Sequence, residues 1–199
     1  MLDPSEMYPQ GFHPVQIDRS RDFKGKSQAY DRTQRPPRYY LIDFGLSRQY
    51  NSRTALDNPI RGGDKSAPEH QLGRRCNPFH TDIYHFGNLV RVRFMKVNAP
   101  RSWFSFCVAH CRAFQRYTGF EFVEGLVNAM TAAEPAKRPV IEEVVAKFCH
   151  IRESLSEAKL RSPITSKKDS SVVTAFRYTS QAIRTVQYIV LRKPAIPEP

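Results

Sequence analysis

Apolar residues fall at helical spacing through the second half of the chain. Ile83, Phe86, Val90 and Phe94 line one face behind a Thr81-Asp82 start. Trp103, Phe106, Cys107, His110, Cys111 and Phe114 form a second stripe, and Phe122, Leu126, Val127 and Met130 a third. A fourth begins after Pro139, a residue suited to a helix start, and runs through Ile141, Val144, Val145, Phe148 and Ile151. The spacing predicts four helices sharing one core. Beyond about Ser154 a Ser/Lys-rich linker leads to a last periodic segment, in which Phe176, Ile183, Val186 and Val190 share one face. The first half reads differently. Residues 1–38 are dominated by Pro, Arg, Asp, Ser and Gln, as an extended insertion would be. "RYYLID" then supplies a short aromatic strand ending at Asp43, and the polar stretch up to Glu69, with Gly62-Gly63, predicts a long loop hung from it. The fold class expected is α+β, mainly α.

Composition agrees with a folded centre and irregular ends. The 199 residues are 40% hydrophobic and 12% aromatic, with 15 Pro and 9 Gly, and mean hydropathy is −0.54. The net charge of +12 could address nucleic acid, a membrane surface or an acidic substrate, so its distribution matters. Between residues 159 and 193 eight basic residues face a single acidic one, Asp169. The excess therefore gathers towards the C-terminus. It is scattered and carries no nucleic-acid motif, which predicts a solvated tail with at most weak contact to an anionic surface and no specific nucleic-acid partner. Cys76, Cys107, Cys111 and Cys149 contain no CxxC pair. Reduced core thiols follow, because Cys107, His110 and Cys111 lack the second cluster a structural zinc site needs. No signal peptide and no apolar run approaching a membrane span is present; the longest candidate is "YIVL". A soluble intracellular protein of the cytoplasm or nucleus is expected.

The chemistry lies in an ordered set of motifs. Asp43-Phe44-Gly45 ends the expected strand; Ala67-Pro68-Glu69 follows; Asp82 opens an apolar helix containing Gly87; and Arg138 stands in "AEPAKRPVIEEV". In that order and setting the motifs resemble the C-terminal lobe of a protein kinase, in the Ser/Thr-kinase-like group with "IDFGLS" after its strand, somewhat like casein kinases. The resemblance covers residues 39–152, with 43–69 as activation segment and 81–152 as helical core; residues 153–199 form a basic linker and tail. It implies a cofactor site at Asp43, Phe44 and Gly45 for ATP, in which Asp43 presents carboxylate oxygens to Mg²⁺, Gly45 lets the chain turn sharply after the strand and Phe44 packs against a helix of the other lobe, a core aromatic being the alternative for Phe44. It implies an ion pair between Glu69 and Arg138, tying the end of the activation segment to the helical core. It also implies that Asp82 receives hydrogen bonds from the catalytic-loop backbone; capping of its own helix is the alternative.

Several parts of that family's machinery are missing. There is no GxGxxG, no strand lysine and no His-Arg-Asp, so the N-terminal lobe is expected to be absent. "SRDFKGKS", residues 20–27, imitates the catalytic loop, with Asp22 as the candidate base. An apolar strand must follow such a loop, and "QAYDRTQRPPR" cannot form one. "MLDP" suits the end of that strand better, making residues 1–38 a strand remnant plus an insertion between the arms of a short β-hairpin. Arg61, Gly62 and Gly63 stand where the family carries a Thr or Ser ahead of Ala-Pro-Glu, and Ser47, Ser52, Thr54 and Ser66 are phosphorylation candidates. The function expected is that of a partial protein kinase domain, whose family transfers phosphoryl groups from ATP to protein Ser/Thr. The chain itself is expected to be inactive alone, because positioning carries nearly all of this catalysis. A non-catalytic pseudokinase or interaction module, with a protein partner in place of a protein substrate, is the alternative.

Overall fold

The computed structural model describes residues 1–59, 64–95, 117–166 and 169–197. The second apolar stripe, the cysteines and histidine within it, and the Arg61, Gly62 and Gly63 positions lie outside the described residues. The chain divides into two units. One comprises Met1–Gly45, Glu157–Ser162 and Thr179–Pro199; the other comprises Leu46–Ser156 and Pro163–Tyr178.

The second unit holds the helical core. Its elements are α1 (Pro68–Gln71), α2 (Pro78–Arg93), β1 (Tyr117–Thr118), α3 (Glu124–Met130), α4 (Ile141–Ser154) and β2 (Thr165–Ser166). Helix α2 starts earlier than Thr81-Asp82 predicts. Asn77 is its N-cap, accepting a hydrogen bond from the Phe79 amide at 3.0 Å, and Pro78 occupies the first turn, where its missing N–H has no partner to lose. Asp82 therefore lies inside the helix and does not cap it. The core is built from Ile83 of α2, Leu126 and Met130 of α3 and Val144 of α4, with Ile151 packed against them. Gly87 permits the α2–α3 contact, since a Cβ there would sit 2.7 Å from Met130 Cβ and 3.0 Å from Thr131 Cγ2. Phe86, Val145 and Phe148, which share the predicted apolar stripes, are exposed. The core thus takes only part of each stripe. β1 pairs with β2 antiparallel, Tyr117 opposite Ser166 and Thr118 opposite Thr165.

The first unit is mostly turns. Its insertion is laced by backbone bonds such as Tyr30 N–H to Met7 O and Ser27 N–H to Asp18 O, at 2.9 and 3.0 Å. The strand expected over "RYYLID" shrinks to one antiparallel bridge, Leu2 with Tyr39, flanked by Asp3 N–H to Arg38 O at 2.9 Å and Tyr40 N–H to Met1 O at 2.8 Å. Leu41 and Ile42 are exposed. A strand is stable only while a neighbour takes its N–H and C=O groups, and here the pairing stops at Tyr40. The short α5 (Glu157–Leu160) and most of α6 (Ser171–Val190) also belong to this unit. Tyr188 of α6 is buried, and its hydroxyl donates to the Asp31 carboxylate.

In broad terms the molecule is mainly helical with one small two-stranded antiparallel sheet among the described residues.

Candidate functional site

Ala67 is fully buried, which fixes the entry to α1 and turns Glu69, in the first turn, inwards. Arg138 follows the 3-10 turn Pro135–Lys137, just ahead of α4. The structure brings the two together. Arg138 Nη1 donates to Glu69 Oε1 at 2.7 Å and Nη2 to Oε2 at 2.8 Å, a two-pronged ion pair whose side chains are 0% and 8% exposed. The remaining guanidinium donors are also met: Nε by Ala132 O at 2.8 Å, Nη1 by His80 O at 3.0 Å and Nη2 by Ala133 O at 3.4 Å. The guanidinium carbon lies 4.7 Å from the Tyr84 ring centroid. Thr81 Oγ1 adds a bond to Glu69 Oε1 at 2.8 Å. Burial alone would push the Glu69 pKa up; the bonds from Arg138, with Thr81 assisting, overcome it and hold the carboxyl at about 2. Chemically the arrangement is a clamp, with every charge neutralised and no reactive group left over.

One turn along α2 lies a second cluster. Asp82 keeps an exposed edge and makes no hydrogen bond or ion pair among the described residues; partial desolvation of its carboxyl raises its pKa, with His85 and His70 pulling it back. The His70 and His85 rings meet edge to face at 5.3 Å between centroids. His70 Nδ1 lies 3.1 Å from Asp64 O, whereas His85 Nε2 is buried without a hydrogen-bond partner among the described residues. Burial lowers the His85 pKa, which favours the neutral ring. Asp82 also edges an open apolar cavity of about 420 Å³ lined by Phe79, Ile83, Phe86, Val140 and Ile141. Arg53 and Glu142, joined by a 2.7 Å salt bridge, complete its rim. Of the serines read as modification candidates, Ser66 donates to Asp64 Oδ2 and accepts from Asn88 Nδ2, each at 2.9 Å. Ser52 and Thr54 bond each other at 2.8 Å.

Asp43, Phe44 and Gly45 are exposed. Asp43 has a φ of 63°, opening the 3-10 turn Phe44–Leu46. This left-handed backbone marks a sharp change of direction at the expected place. Asp43 belongs to the first unit, and Glu69, Asp82 and Arg138 belong to the second. Asp22, the decoy base, is consumed by its own turn: its Oδ1 accepts from Ser20 Oγ at 2.7 Å and from the Lys24 amide at 3.2 Å. Those bonds, the hydroxyl first, lower its pKa and make it a weaker base. The residues present do not by themselves fit a magnesium site. Asp43 supplies a single carboxylate, and among the described residues no group of three or more His, Cys, Asp or Glu is placed to hold a metal ion.

Sequence reasoning identified the two ends of the clamp and missed its middle. Thr81, Tyr84 and the carbonyls of His80, Ala132 and Ala133 carry no motif. The one available signal was that a buried guanidinium needs acceptors for five N–H groups, and a single carboxylate cannot supply them. No family model, no curated protein and no solved structure matches the chain.

Proposed function

We propose that residues 39–152 are the C-terminal lobe portion of a protein-kinase-like domain, and that this chain acts through protein contacts and does not itself transfer phosphoryl groups. One observation carries the reading: Glu69 of Ala67-Pro68-Glu69 and Arg138 ahead of α4 meet in a buried, two-pronged ion pair. Any Asp-Phe-Gly can occur by chance, but a carboxylate and a guanidinium 69 residues apart in sequence, each within its own motif, are a far more specific conjunction. The clamp anchors Glu69, at the far end in sequence of the segment that begins at Asp43. In a complete kinase of this kind Asp43 would hold Mg²⁺ against the phosphates of ATP.

Two observations support the proposed inactivity. Asp22 is tied up in its turn, and Asp43 stands as one exposed carboxylate. Titration with Mg-ATP, followed by melting temperature and by transfer of labelled phosphate to a generic protein substrate, is expected to give neither a shift nor product. A saturable shift or phosphorylated product abolished by Asp43→Asn would overturn the inactivity. Reading the coding sequence upstream of Met1 in frame separates a partial kinase from a non-catalytic relative. A glycine-rich loop, a strand lysine and a His-Arg-Asp encoded there would make the family's phosphoryl transfer the function of the longer protein.

A further inference from the structure

Helix α6 is built the wrong way round for a helix packed on a protein core. At 100° per residue, Gln181 and Tyr188 fall on one face, and Ile183 and Val190, each two residues further on, fall on nearly the opposite one. The face carrying Gln181 and Tyr188 is the one engaged with protein. Gln181 Nε2 donates to Arg161 O at 3.0 Å, and Tyr188 is buried on Asp31. The opposite stripe, Val172, Phe176, Ile183, Val186 and Val190, is turned outwards, each residue between 59% and 78% exposed. Five large apolar side chains on one outward face, interrupted only by Thr179, exceed the scatter of single apolar residues normal for a surface.

The charges around the row indicate what covers it. Residues 171–190 contain no Asp or Glu. Arg177 and Arg184, seven residues apart, share one side of the helix about 120–140° around from the centre of the row, and Arg192 and Lys193 follow its C-terminal end. Arg177 is held near Asp169 at 3.3 Å and remains about half exposed. The rest of the polar surface is Thr, Ser and Gln. No helix among the described residues is long and apolar enough to cross a membrane. An apolar row on a helix whose only charged side chains are the cations Arg177 and Arg184 suits a helix lying in the plane of an anionic bilayer, with the row at acyl depth and the long arginine side chains reaching to headgroup phosphates. Self-association through the same row would bring like charges together in a chain of net charge +12.

We propose that α6 docks the protein onto anionic phospholipid surfaces through Val172, Phe176, Ile183, Val186 and Val190, with Arg177, Arg184, Arg192 and Lys193 contacting the headgroups. The test is flotation of the full chain with phosphatidylcholine vesicles that contain or lack phosphatidylserine. Binding to the phosphatidylserine vesicles is expected, weakening with salt and falling sharply on vesicles of phosphatidylcholine alone. Ile183→Ser combined with Val190→Ser should lower affinity by about tenfold or more per side chain, and Arg184→Gln by about fivefold. All three positions are outside the core, so the far-UV circular dichroism and melting temperature should be unchanged. Failure to float with phosphatidylserine vesicles, or equal binding to both vesicle types, overturns the proposal. So does vesicle binding that the Ile183/Val190 variant leaves intact while an oligonucleotide competes it away, which marks general polyanion attraction. A concentration-dependent dimer in sedimentation velocity, dissolved by the same variant, would assign the row to a second copy of the chain and overturn it equally.

Discussion

Glu69 at about 2 and Asp82 raised from its ordinary value are two acids, on α1 and on α2, that the fold treats in opposite ways. Both are desolvated; only Glu69 has donors. Stability therefore changes with pH with opposite signs at the two sites. For Glu69 the folded-state value lies below the ordinary 4.5, so its contribution is complete above that value and is lost as pH falls towards 2. Asp82 behaves conversely, its charge opposing the fold once pH rises past the ordinary carboxylate value. Urea unfolding from pH 7 down to pH 2.5 is expected to show a steep acid limb that Glu69→Gln largely removes. At pH 7 Glu69→Gln or Arg138→Met should each destabilise by about 3–5 kcal/mol, because each leaves a buried charge unpaired, and the double variant should lose much less than the sum. Additive losses would mean that the pair is not the unit it looks to be.

Helix α2 ties these residues together, and at the scale of elements its contact with α3 rests on Gly87. In a solvated helix Gly→Ala gains roughly 1 kcal/mol from propensity. Here the new methyl would meet Met130 Cβ at 2.7 Å, and a Cβ cannot swing aside as a side-chain tip can. Gly87→Ala is therefore expected to destabilise by about 1–3 kcal/mol, read as a lower midpoint in chemical unfolding; a raised midpoint would mean the two helices separate at no cost. The same elements show which features the sequence made legible. Periodicity located α2, α3 and α4 because each places core residues at helical spacing, as Ile83, Leu126, Met130 and Val144 do. It erred at the start of α2, since an Asn-Pro signal at Asn77-Pro78 lies a turn before the first residue of the apolar stripe. It also predicted a strand at "RYYLID", where composition suits a strand but the neighbour runs out after Tyr40. For α6 the pattern revealed which residues share a face. It could not reveal that Tyr188 would turn inwards and the aliphatic row outwards, because periodicity is silent on which side meets protein. The Glu69–Arg138 clamp was legible for a different reason: both ends sit in short motifs, and opposite charges confined to a core have few stable arrangements other than each other.

At the scale of the whole molecule the two units are held by different kinds of bond, and that difference should be visible in how they open. The second unit has the aliphatic cluster around Met130 and the buried clamp. The first relies on backbone bonds between turns and on Tyr188, whose phenol is pushed up to about 12 by burial and by its bond to Asp31. Raising pH through that value would place a phenolate beside a carboxylate, so the first unit's contribution from Tyr188 is constant through the neutral range and lost only in strong alkali. Two variants then act as separate levers. Glu69→Gln should accelerate amide hydrogen exchange across α2, α3 and α4 while leaving the Tyr30 and Ser27 amides of the insertion unchanged. Tyr188→Phe, which removes one hydroxyl and leaves Asp31 without that donor, should accelerate exchange at Tyr30 and Ser27 and spare α2 to α4, by a factor of about ten if the bond contributes about 1.5 kcal/mol. Exchange that rises everywhere for either variant would show a single cooperative body, and the clamp would then govern the insertion as firmly as it governs the helices.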